Sequence, residues 1–376
     1  MTLSLPMCSI DFTSDEMGPE EIAIAERITE LKNQLGDDLL ILGHHYQRDQ
    51  IVMHADLLGD SFLLSKLAAE SSAEYIIFCG VHFMAESADI LTSDDQKVIL
   101  PNLRAGCSMA DMAVLNEVEI AWENIIDTTG LADPAINPEA PAKLIPVTYM
   151  NSSAELKAFV GRHGGCVCTS TNAPGVLEWA FEQAGENGAV LFFPDQHLGR
   201  NTGINMGIEE SRMPLWTPGA ENDLGEDPRI ILWYGYCSVH KRFTTEQISE
   251  FRVENPDGVV VVHPECSKEV VQAADASGST EFIKRFVEEA PPGSKIAVGT
   301  EINMVARLNQ QHSNKDVECL DETICPCSTM YMIHPAYLMD VLERITEGEI
   351  PNQIVVPEYI AKDASLALER MLSIVS

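Results

Sequence analysis

The chain carries a diverged internal repeat, and this repeat constrains its fold more than any other feature. A β-rich run that ends in polar residues occurs three times, as LLILGHHYQ (39–47), KLIPVTYMN (143–151) and GVVVVHPEC (258–266). A second apolar run follows each of them, at 74–83, 189–197 and 295–303. A helix is predicted between the two runs of each repeat. The pattern therefore predicts three similar α/β units in sequence.

The apolar runs are rich in β-branched residues and are typical of strands in a parallel sheet that is buried on both faces. Ligands of open α/β sheets bind beyond the carboxyl ends of the strands, and the polar residues of all three repeats fall at that end. Three such ends facing one axis would form one shared site. Periodicity alone leaves open the alternative of three domains in a row with separate surfaces.

Each unit ends with a cysteine, and the three cysteines are Cys107, Cys237 and Cys327. The separation from His44 to Cys107 is 63 positions and that from His263 to Cys327 is 64, whereas Tyr149 and Cys237 are 88 apart. We place the extra residues of the middle unit in an insertion at about 200–228. One free cysteine is usually a small buried apolar residue. Three cysteines at equivalent positions of a repeat predict one site in which the three thiolates come together.

Three thiolates favour an iron–sulfur cluster over structural zinc. A structural zinc ion is normally closed by four protein ligands. A 4Fe-4S cluster held by three cysteines keeps one iron open, and this iron can act as a Lewis acid on a hydroxyl or carbonyl oxygen. The strand ends add acid–base and hydrogen-bonding groups around such a site: His44, His45, Tyr46, Tyr149, Asn151, His263 and Glu265.

Hydroxyl residues lie near the start of the helix predicted in each unit. The three that align are Ser61, Ser170 and Thr280, in the segments 59–70, 169–183 and 277–289. The start of a helix offers free backbone N–H groups and a partial positive charge, which suits an anion. The sequence therefore predicts a substrate that carries phosphate or several carboxylates.

Composition limits the partners and the location of the chain. Its 376 residues include 58 acidic and 24 basic ones, a formal net charge of −34, which would repel nucleic acid. A surface of this charge favours a halophile's protein, because salt screens self-repulsion; a merely acidic mesophilic protein is the alternative. No apolar run approaches ~20 residues and no signal-peptide layout is present, so we expect no membrane association and a cytoplasmic location.

The predicted organisation has four parts. Residues 1–121 form the first unit with an N-terminal helix, 122–142 a Pro/Ala-rich connector, 143–250 the second unit, and 251–376 the third unit. The insertion at about 200–228 is expected to be a long loop or lid. Two C-terminal helices are expected to close the third unit and cap the bundle. Dinucleotide-binding, phosphate-loop and zinc-protease motifs are absent from the sequence.

The motifs resemble one enzyme family in order and over nearly the whole chain. They are GHHYQ, GDS, CGVHFMAES, LPNLRAGCSMAD, VTYMNSSAELKA, TSTNAP, FFPDQHLGRNTG, WYGYCSVH, HPEC, SGST, VGTEINMVARL and CPCSTM, and they are similar to those of the quinolinate synthases, in particular a longer subgroup. The resemblance implies a transferase that condenses iminoaspartate with dihydroxyacetone phosphate to quinolinate, phosphate and water in de novo NAD biosynthesis. It also implies three α-β-α domains in a triangular, pseudo-threefold arrangement around an oxygen-sensitive 4Fe-4S cluster.

The same resemblance assigns roles to residues. Cys107, Cys237 and Cys327 become the cluster ligands; Cys325 competes for the third place, and the spacing to Met330 and the unit length favour Cys327. Substrate contacts fall to His44, Ser61, Tyr149, Asn151, Ser170, His263, Glu265 and Thr280. Tyr46 and Glu265 are the candidates for proton transfer, with His44 and His263 beside them.

Some alternatives stay open. The runner-up enzyme is another 4Fe-4S hydro-lyase, and the rival from a different class is a non-catalytic iron–sulfur sensor. An oxidase or dehydrogenase that produces iminoaspartate is the expected functional partner. The remaining thiols Cys166, Cys168, Cys319 and Cys325 could form redox pairs, although structural roles are favoured for them.

Overall fold

The computed structural model describes residues 17–321, 323 and 326–374, and these form three small parallel sheets flanked by helices. Every strand pair in the three sheets is parallel. The predicted fold class, α/β with three small parallel sheets, is confirmed. The domain boundaries given above stay predictions.

The first sheet has four strands in the order β2-β1-β3-β4. In chain order the elements of this part are α1 (Pro19–Leu35), β1 (Leu39–His44), α2 (Asp49–Val52), β2 (Leu57–Gly59), α3 (Ser61–Glu70), β3 (Tyr75–Cys79), α4 (His82–Leu91), β4 (Lys97–Ile99) and α5 (Leu115–Thr129). Helix α1 ends at Gly36, whose φ of 57° lies in the region that favours glycine.

The second sheet has five strands in the order β6-β5-β7-β9-β8. The elements are β5 (Leu144–Tyr149), α6 (Ala154–Arg162), β6 (Cys166–Cys168), α7 (Ala173–Ala184), β7 (Ala189–Phe193), α8 (Gln196–Asn205), β8 (Leu215–Trp216) and β9 (Ile230–Trp233). Strands β5 and β7 are buried at every residue, as expected for a parallel sheet covered on both faces.

The third sheet has four strands in the order β11-β10-β12-β13. Its elements are α9 (Thr245–Glu254), β10 (Val259–Val262), α10 (Lys268–Ala273), β11 (Ala276–Ser277), α11 (Thr280–Glu289), β12 (Lys295–Gly299), α12 (Ile302–Gln311) and β13 (Asp316–Cys319). The order repeats that of the first sheet, with the first strand of the unit between a short edge strand and the second long strand.

The C-terminal helices differ from their expected position. Helix α13 (Pro335–Thr346) packs against α1, and α14 (Glu358–Ser373) packs mainly against α6. They therefore cover the first two units and do not close the third. Gly161 permits the close approach of α6 and α14, because a Cβ atom there would lie 1.8 Å from the carbonyl oxygen of Asp363.

The middle insertion is partly ordered into the sheet, contrary to the expectation of a loop throughout. Helix α8 extends to Asn205, and Leu215–Trp216 forms an edge strand that pairs with β9. Trp216 is buried in this position. Among the residues that the structure describes, no helix has the length and apolar character needed to cross a membrane.

Candidate active site

One cavity is lined by residues from all three units. The carboxyl ends of β1, β5 and β10 lie around it, as the geometry of parallel sheets favours. All the residues that the family resemblance assigned to the site line this cavity: His44, Tyr46, Ser61, Cys107, Tyr149, Asn151, Ser170, Cys237, His263, Glu265, Thr280 and Cys327. His45, which was also expected near the site, does not line it, and its Nε2 lies 2.6 Å from Oε1 of Glu281. The structure thus brings the assigned set together, while the role of each residue stays a prediction.

The three cysteines occupy the same local structure. Each one precedes by three residues a short 3₁₀ turn, at Ala110–Met112, His240–Arg242 and Met330–Met332. In the third unit, Cys327 is the cysteine that lies three residues before the 3₁₀ turn. Its competitor Cys325 lies outside the described residues, so the choice between them stays a prediction.

The chemistry of these thiols suits a metal cofactor. All three are half-buried and line the cavity, and no other cysteine of the described chain does so. Burial raises the pKa of Cys107 to about 12, although the N–H groups of Ala110 and Met109 lower it. Burial and the nearby Glu265 also raise the pKa of Cys237. Such thiols stay protonated until a cation replaces the proton.

The spacing of the three thiols also favours a cluster over one ion. Ligand atoms of a single metal ion must lie close together, and in the described part of the chain the group that meets this condition is Cys237, His240 and Glu265, within 4.8 Å of one another. The three thiols do not form such a group. Three thiols that share a cavity without meeting at one point fit the larger 4Fe-4S cofactor.

Glu265 is the centre of a buried hydrogen-bond network. The Tyr149 hydroxyl donates to Oε1 of Glu265 at 2.6 Å, and Nδ1 of His240 lies 2.7 Å from Oε2. Burial disfavours the charged carboxylate. The neighbouring His240 and His263 and the hydrogen bonds from His240 and Tyr149 outweigh burial, so the pKa of Glu265 lies below its ordinary value.

The network continues from His240 to Tyr46 in two ways, by a direct contact of 3.4 Å between Nε2 and the hydroxyl and through Thr300 of the third unit. Nε2 of His240 lies 3.1 Å from Oγ1 of Thr300, which lies 2.7 Å from the hydroxyl of Tyr46. An ionised Glu265 favours the His240 tautomer with the proton on Nδ1, so Nε2 accepts from Thr300 and Thr300 accepts from Tyr46. The hydrogen bonds therefore run in one direction, from the cavity residue Tyr46 to the carboxylate.

His240 and Thr300 were missed by sequence reasoning. His240 follows Cys237 by three positions, and this Cys-x-x-His spacing was the available signal. Thr300 directly follows β12, where a hydroxyl residue has no distinctive pattern. Both side chains are buried.

His44 and His263 hold equivalent positions at the ends of β1 and β10. Nδ1 of His44 accepts from the N–H of Tyr46 at 3.1 Å, and Nδ1 of His263 accepts from the N–H of Glu265 at 3.4 Å. Burial lowers the pKa of both rings, to about 3 for His263. Both imidazoles are therefore neutral, with the proton on Nε2.

The three predicted anion-binding hydroxyls lie near helix starts but do not cap them. Ser61 and Thr280 are the first residues of α3 and α11, and Ser170 precedes α7 by three residues. The capping side chains of α3 and α11 belong instead to Asp60 and Ser279. The buried hydroxyl of Thr280 has no hydrogen-bond partner in the described chain. It is free to bind a ligand.

Helix α12 fixes the loop that carries Tyr46. The buried guanidinium of Arg307 donates to the carbonyl oxygens of His45 and Gln47, and the Asn303 amide donates to that of Tyr46 at 3.4 Å. Three successive carbonyls of the first unit are thus held by the third unit.

The α12 cap also reaches the thiol region. Oε1 of Glu301 accepts from the N–H of Cys327 at 3.2 Å, and its other oxygen caps the helix. Each of the three units contributes one thiol to the cavity. The hydrogen-bonded residues Tyr46, His240 and Glu265 also come from three different units. This arrangement is typical of an α/β enzyme with its active site between structural units.

The comparisons with known proteins identify the family. A family model described as "Quinolinate synthetase A protein" matches residues 26–373. The chain belongs to this family. The family resemblance stated from the motifs is therefore confirmed.

Close relatives cover nearly the whole chain. It is 56% identical to the quinolinate synthase of Corynebacterium glutamicum over 93% of this chain and 87% of the relative. It is 48% identical to that of Geobacillus kaustophilus over 94% of both chains, and 46% identical to that of Rhodopirellula baltica over 94% of this chain and 92% of the relative.

Proposed function

We propose that this enzyme condenses iminoaspartate with dihydroxyacetone phosphate to give quinolinate, phosphate and water for NAD biosynthesis, and that Cys107, Cys237 and Cys327 hold a 4Fe-4S cluster. The observation that carries the proposal is that these three thiols line the same cavity as Tyr46 and Glu265, which are connected by hydrogen bonds through Thr300 and His240. When bound, such a cluster supplies a Lewis-acidic iron that polarises a carbonyl or hydroxyl oxygen.

The hydrogen-bonded residues Tyr46, Thr300, His240 and Glu265 move protons at the substrate. Isomerisation of a triose and loss of water both require removal of a proton next to a carbonyl or imine carbon. Burial and the nearby Glu265 raise the pKa of Tyr46, so a free phenolate is disfavoured. Tyr46 accepts a substrate proton while its own passes to Thr300, and the proton of Thr300 passes to Nε2 of His240. The ionised Glu265 stabilises the resulting imidazolium.

The other cavity residues bind and orient the substrates. The neutral rings of His44 and His263 donate from Nε2 to substrate oxygens. The hydroxyls of Ser61, Ser170 and Thr280, near three helix starts, suit phosphate and carboxylate groups. In a chain of net charge −34 this use of helix starts supplies positive potential without added cations.

The test is quinolinate formation by the enzyme after anaerobic reconstitution with iron and sulfide. We expect production from iminoaspartate and dihydroxyacetone phosphate and none from either substrate alone. An iminoaspartate-producing oxidase or dehydrogenase, the proposed functional partner, can supply the first substrate in the assay. Hydration of simple hydroxy-acid precursors without quinolinate formation would instead indicate the hydro-lyase, and a stable cluster without turnover would indicate the sensor.

A further inference from the structure

Cys237 has two sets of neighbours, and only one of them is the thiol trio. In the described chain, its Sγ atom and ligand atoms of His240 and Glu265 lie within 4.8 Å of one another. His240 and Glu265 are almost fully buried, at 1% and 3% exposure. We infer that, in the cluster-free chain, these three residues form a binding site for one divalent zinc ion.

The donor set suits zinc in particular. Thiolate, imidazole and carboxylate are the three ligand types that zinc uses, and catalytic zinc sites have three protein ligands and one water. Cys237 and Glu265 line the cavity, so the site has room for a water as fourth ligand. The mixed sulfur, nitrogen and oxygen set is poor for calcium or magnesium, which prefer oxygen alone.

The surrounding contacts support the ligands. Metal-bound imidazoles and carboxylates are usually oriented by hydrogen bonds from a second shell. Here Thr300 contacts His240, and the Tyr149 hydroxyl donates to Glu265. Binding forms bonds from zinc to the sulfur of Cys237, a ring nitrogen of His240 and a carboxylate oxygen of Glu265. The thiol proton of Cys237 is released to solvent, and coordination through Nδ1 of His240 moves the proton of that ring to Nε2, which faces Thr300. No oxidant or reductant is required.

Zinc binding and cluster binding exclude each other. Both require the sulfur of Cys237, but zinc uses His240 and Glu265 where the cluster uses Cys107 and Cys327. A bound zinc ion would therefore block cluster loading and also occupy the proton chain. The consequence is a state of the protein that resists activation until zinc is removed.

The test is zinc titration of the full-length, cluster-free, reduced chain against a chromogenic chelator. We expect one zinc per chain, with binding weakened at least about tenfold in Cys237→Ser and His240→Gln, because loss of even a second-shell partner typically costs about 10–100-fold. Cys107→Ser and Cys327→Ser are matched controls and should bind within about twofold of wild type. Cobalt in place of zinc should show one cobalt–thiolate bond.

Two further measurements keep the inference falsifiable. If His240→Gln does not fold, as judged by its thermal transition, Glu265→Gln replaces it and should also bind zinc more weakly. Prior zinc addition should slow cluster loading in wild type and not in the His240 variant. Loss of zinc binding in Cys107→Ser with retention in His240→Gln would assign zinc to the three thiols and overturn the inference. Absence of stoichiometric zinc binding to wild type would also overturn it.

Discussion

The hydroxyl oxygen of Tyr46 lies 2.7 Å from that of Thr300, and this hydrogen bond is one of several that join the first unit to the third. Thr300 also hydrogen-bonds to His240, and His240 hydrogen-bonds to Glu265. Neither Thr300 nor His240 lines the cavity itself. Two buried side chains thus connect Tyr46 to Glu265, and the Tyr46 hydroxyl also lies 3.4 Å from Nε2 of His240, a longer contact than either of the two that involve Thr300.

Removal of the Thr300 hydroxyl, which interrupts the series of hydrogen bonds from Tyr46 to Glu265, should lower kcat. We expect Thr300→Val, which removes the hydroxyl, to lower kcat by about 10²–10⁴-fold, the usual contribution of a positioned acid–base group. Thr300→Ser keeps the hydroxyl and should retain most of the activity. The measurement is anaerobic quinolinate formation at matched iron content.

Tyr46→Phe provides the companion variant for Thr300→Val. The two single changes should lower kcat by similar factors, and the double variant should be no slower than the slower single variant. The reason is that each of the three variants interrupts the same series of hydrogen bonds. Multiplicative effects of the two changes, or equal activity of the valine and serine variants, would contradict the relay.

Arg307 should be required for the position of the Tyr46 loop. Arg307→Met removes the donor to the carbonyls of His45 and Gln47, and each buried acceptor left unpaired costs about 1–3 kcal/mol of unfolding free energy. We expect lower kcat with iron content retained, since the loop carries no predicted cluster ligand. Urea unfolding, iron analysis and kinetics check this expectation.

Asp49→Asn is the matched control for Arg307. It removes only the half-exposed partner in the ion pair with Arg307, which is worth at most about 1 kcal/mol. Its kcat should stay within about twofold of wild type. A normal kcat in the Arg307 variant would show that the loop holds its position without the guanidinium.

Stability should fall with acid because of His54. This side chain is buried, its Nε2 has no hydrogen-bond partner in the described chain, and burial together with Lys32 lowers its pKa to about 4. The unfolded chain binds the proton with an ordinary pKa near 6.5. The stabilising contribution is thus fully present above pH ~6.5 and is lost as the pH falls from there towards 4.

The measurement for His54 is urea unfolding of wild type and His54→Leu at pH 7 and pH 5. Wild type should lose about 1–2 kcal/mol more than the variant over this interval. Equal losses in the two proteins would mean that His54 is not protonated more readily in the unfolded chain.

Salt should stabilise the protein, as its net charge of −34 predicts. Screening shortens the range of repulsion to ~3 Å at about 1 M salt. The melting temperature should therefore rise between dilute buffer and molar KCl. Glu119, Glu123 and Asp127 are exposed at four-residue spacing along α5, where like charges repel. Neutralising all three to amides should reduce the rise; a melting temperature that does not increase with KCl in wild type would contradict the halophilic interpretation.

The sequence predicted the long strands well and the short ones poorly. Strands β1, β5 and β12 lie within the apolar runs of the repeat, and each has at least four consecutive buried residues, which leave a clear pattern in the sequence. The edge strands β2 and β11 have three and two residues, too few for any periodicity. Their place beside the first long strand of each unit follows from tertiary pairing.

The site was predicted through its cavity-lining residues, and the residues behind them were missed. Tyr46 and Glu265 follow strand ends, where function is expected, and the repeat aligned the thiols. Thr300 and Arg307 act through other residues, and a buried threonine or arginine looks like ordinary packing in sequence. Helix starts were located by their hydroxyls, but Asp60 caps α3, since an acidic side chain serves equally well as a cap.

We propose that three thiols from three units hold one 4Fe-4S cluster with an iron that substrate can reach. The most direct measurement is Mössbauer spectroscopy of the anaerobically reconstituted chain, with and without a quinolinate-like dicarboxylate. We predict that one iron environment of the cluster changes when the ligand is added, and that Ser at Cys107, Cys237 or Cys327 prevents full loading while Cys319→Ser does not. An unchanged spectrum, or a full cluster in Cys327→Ser, would contradict the account.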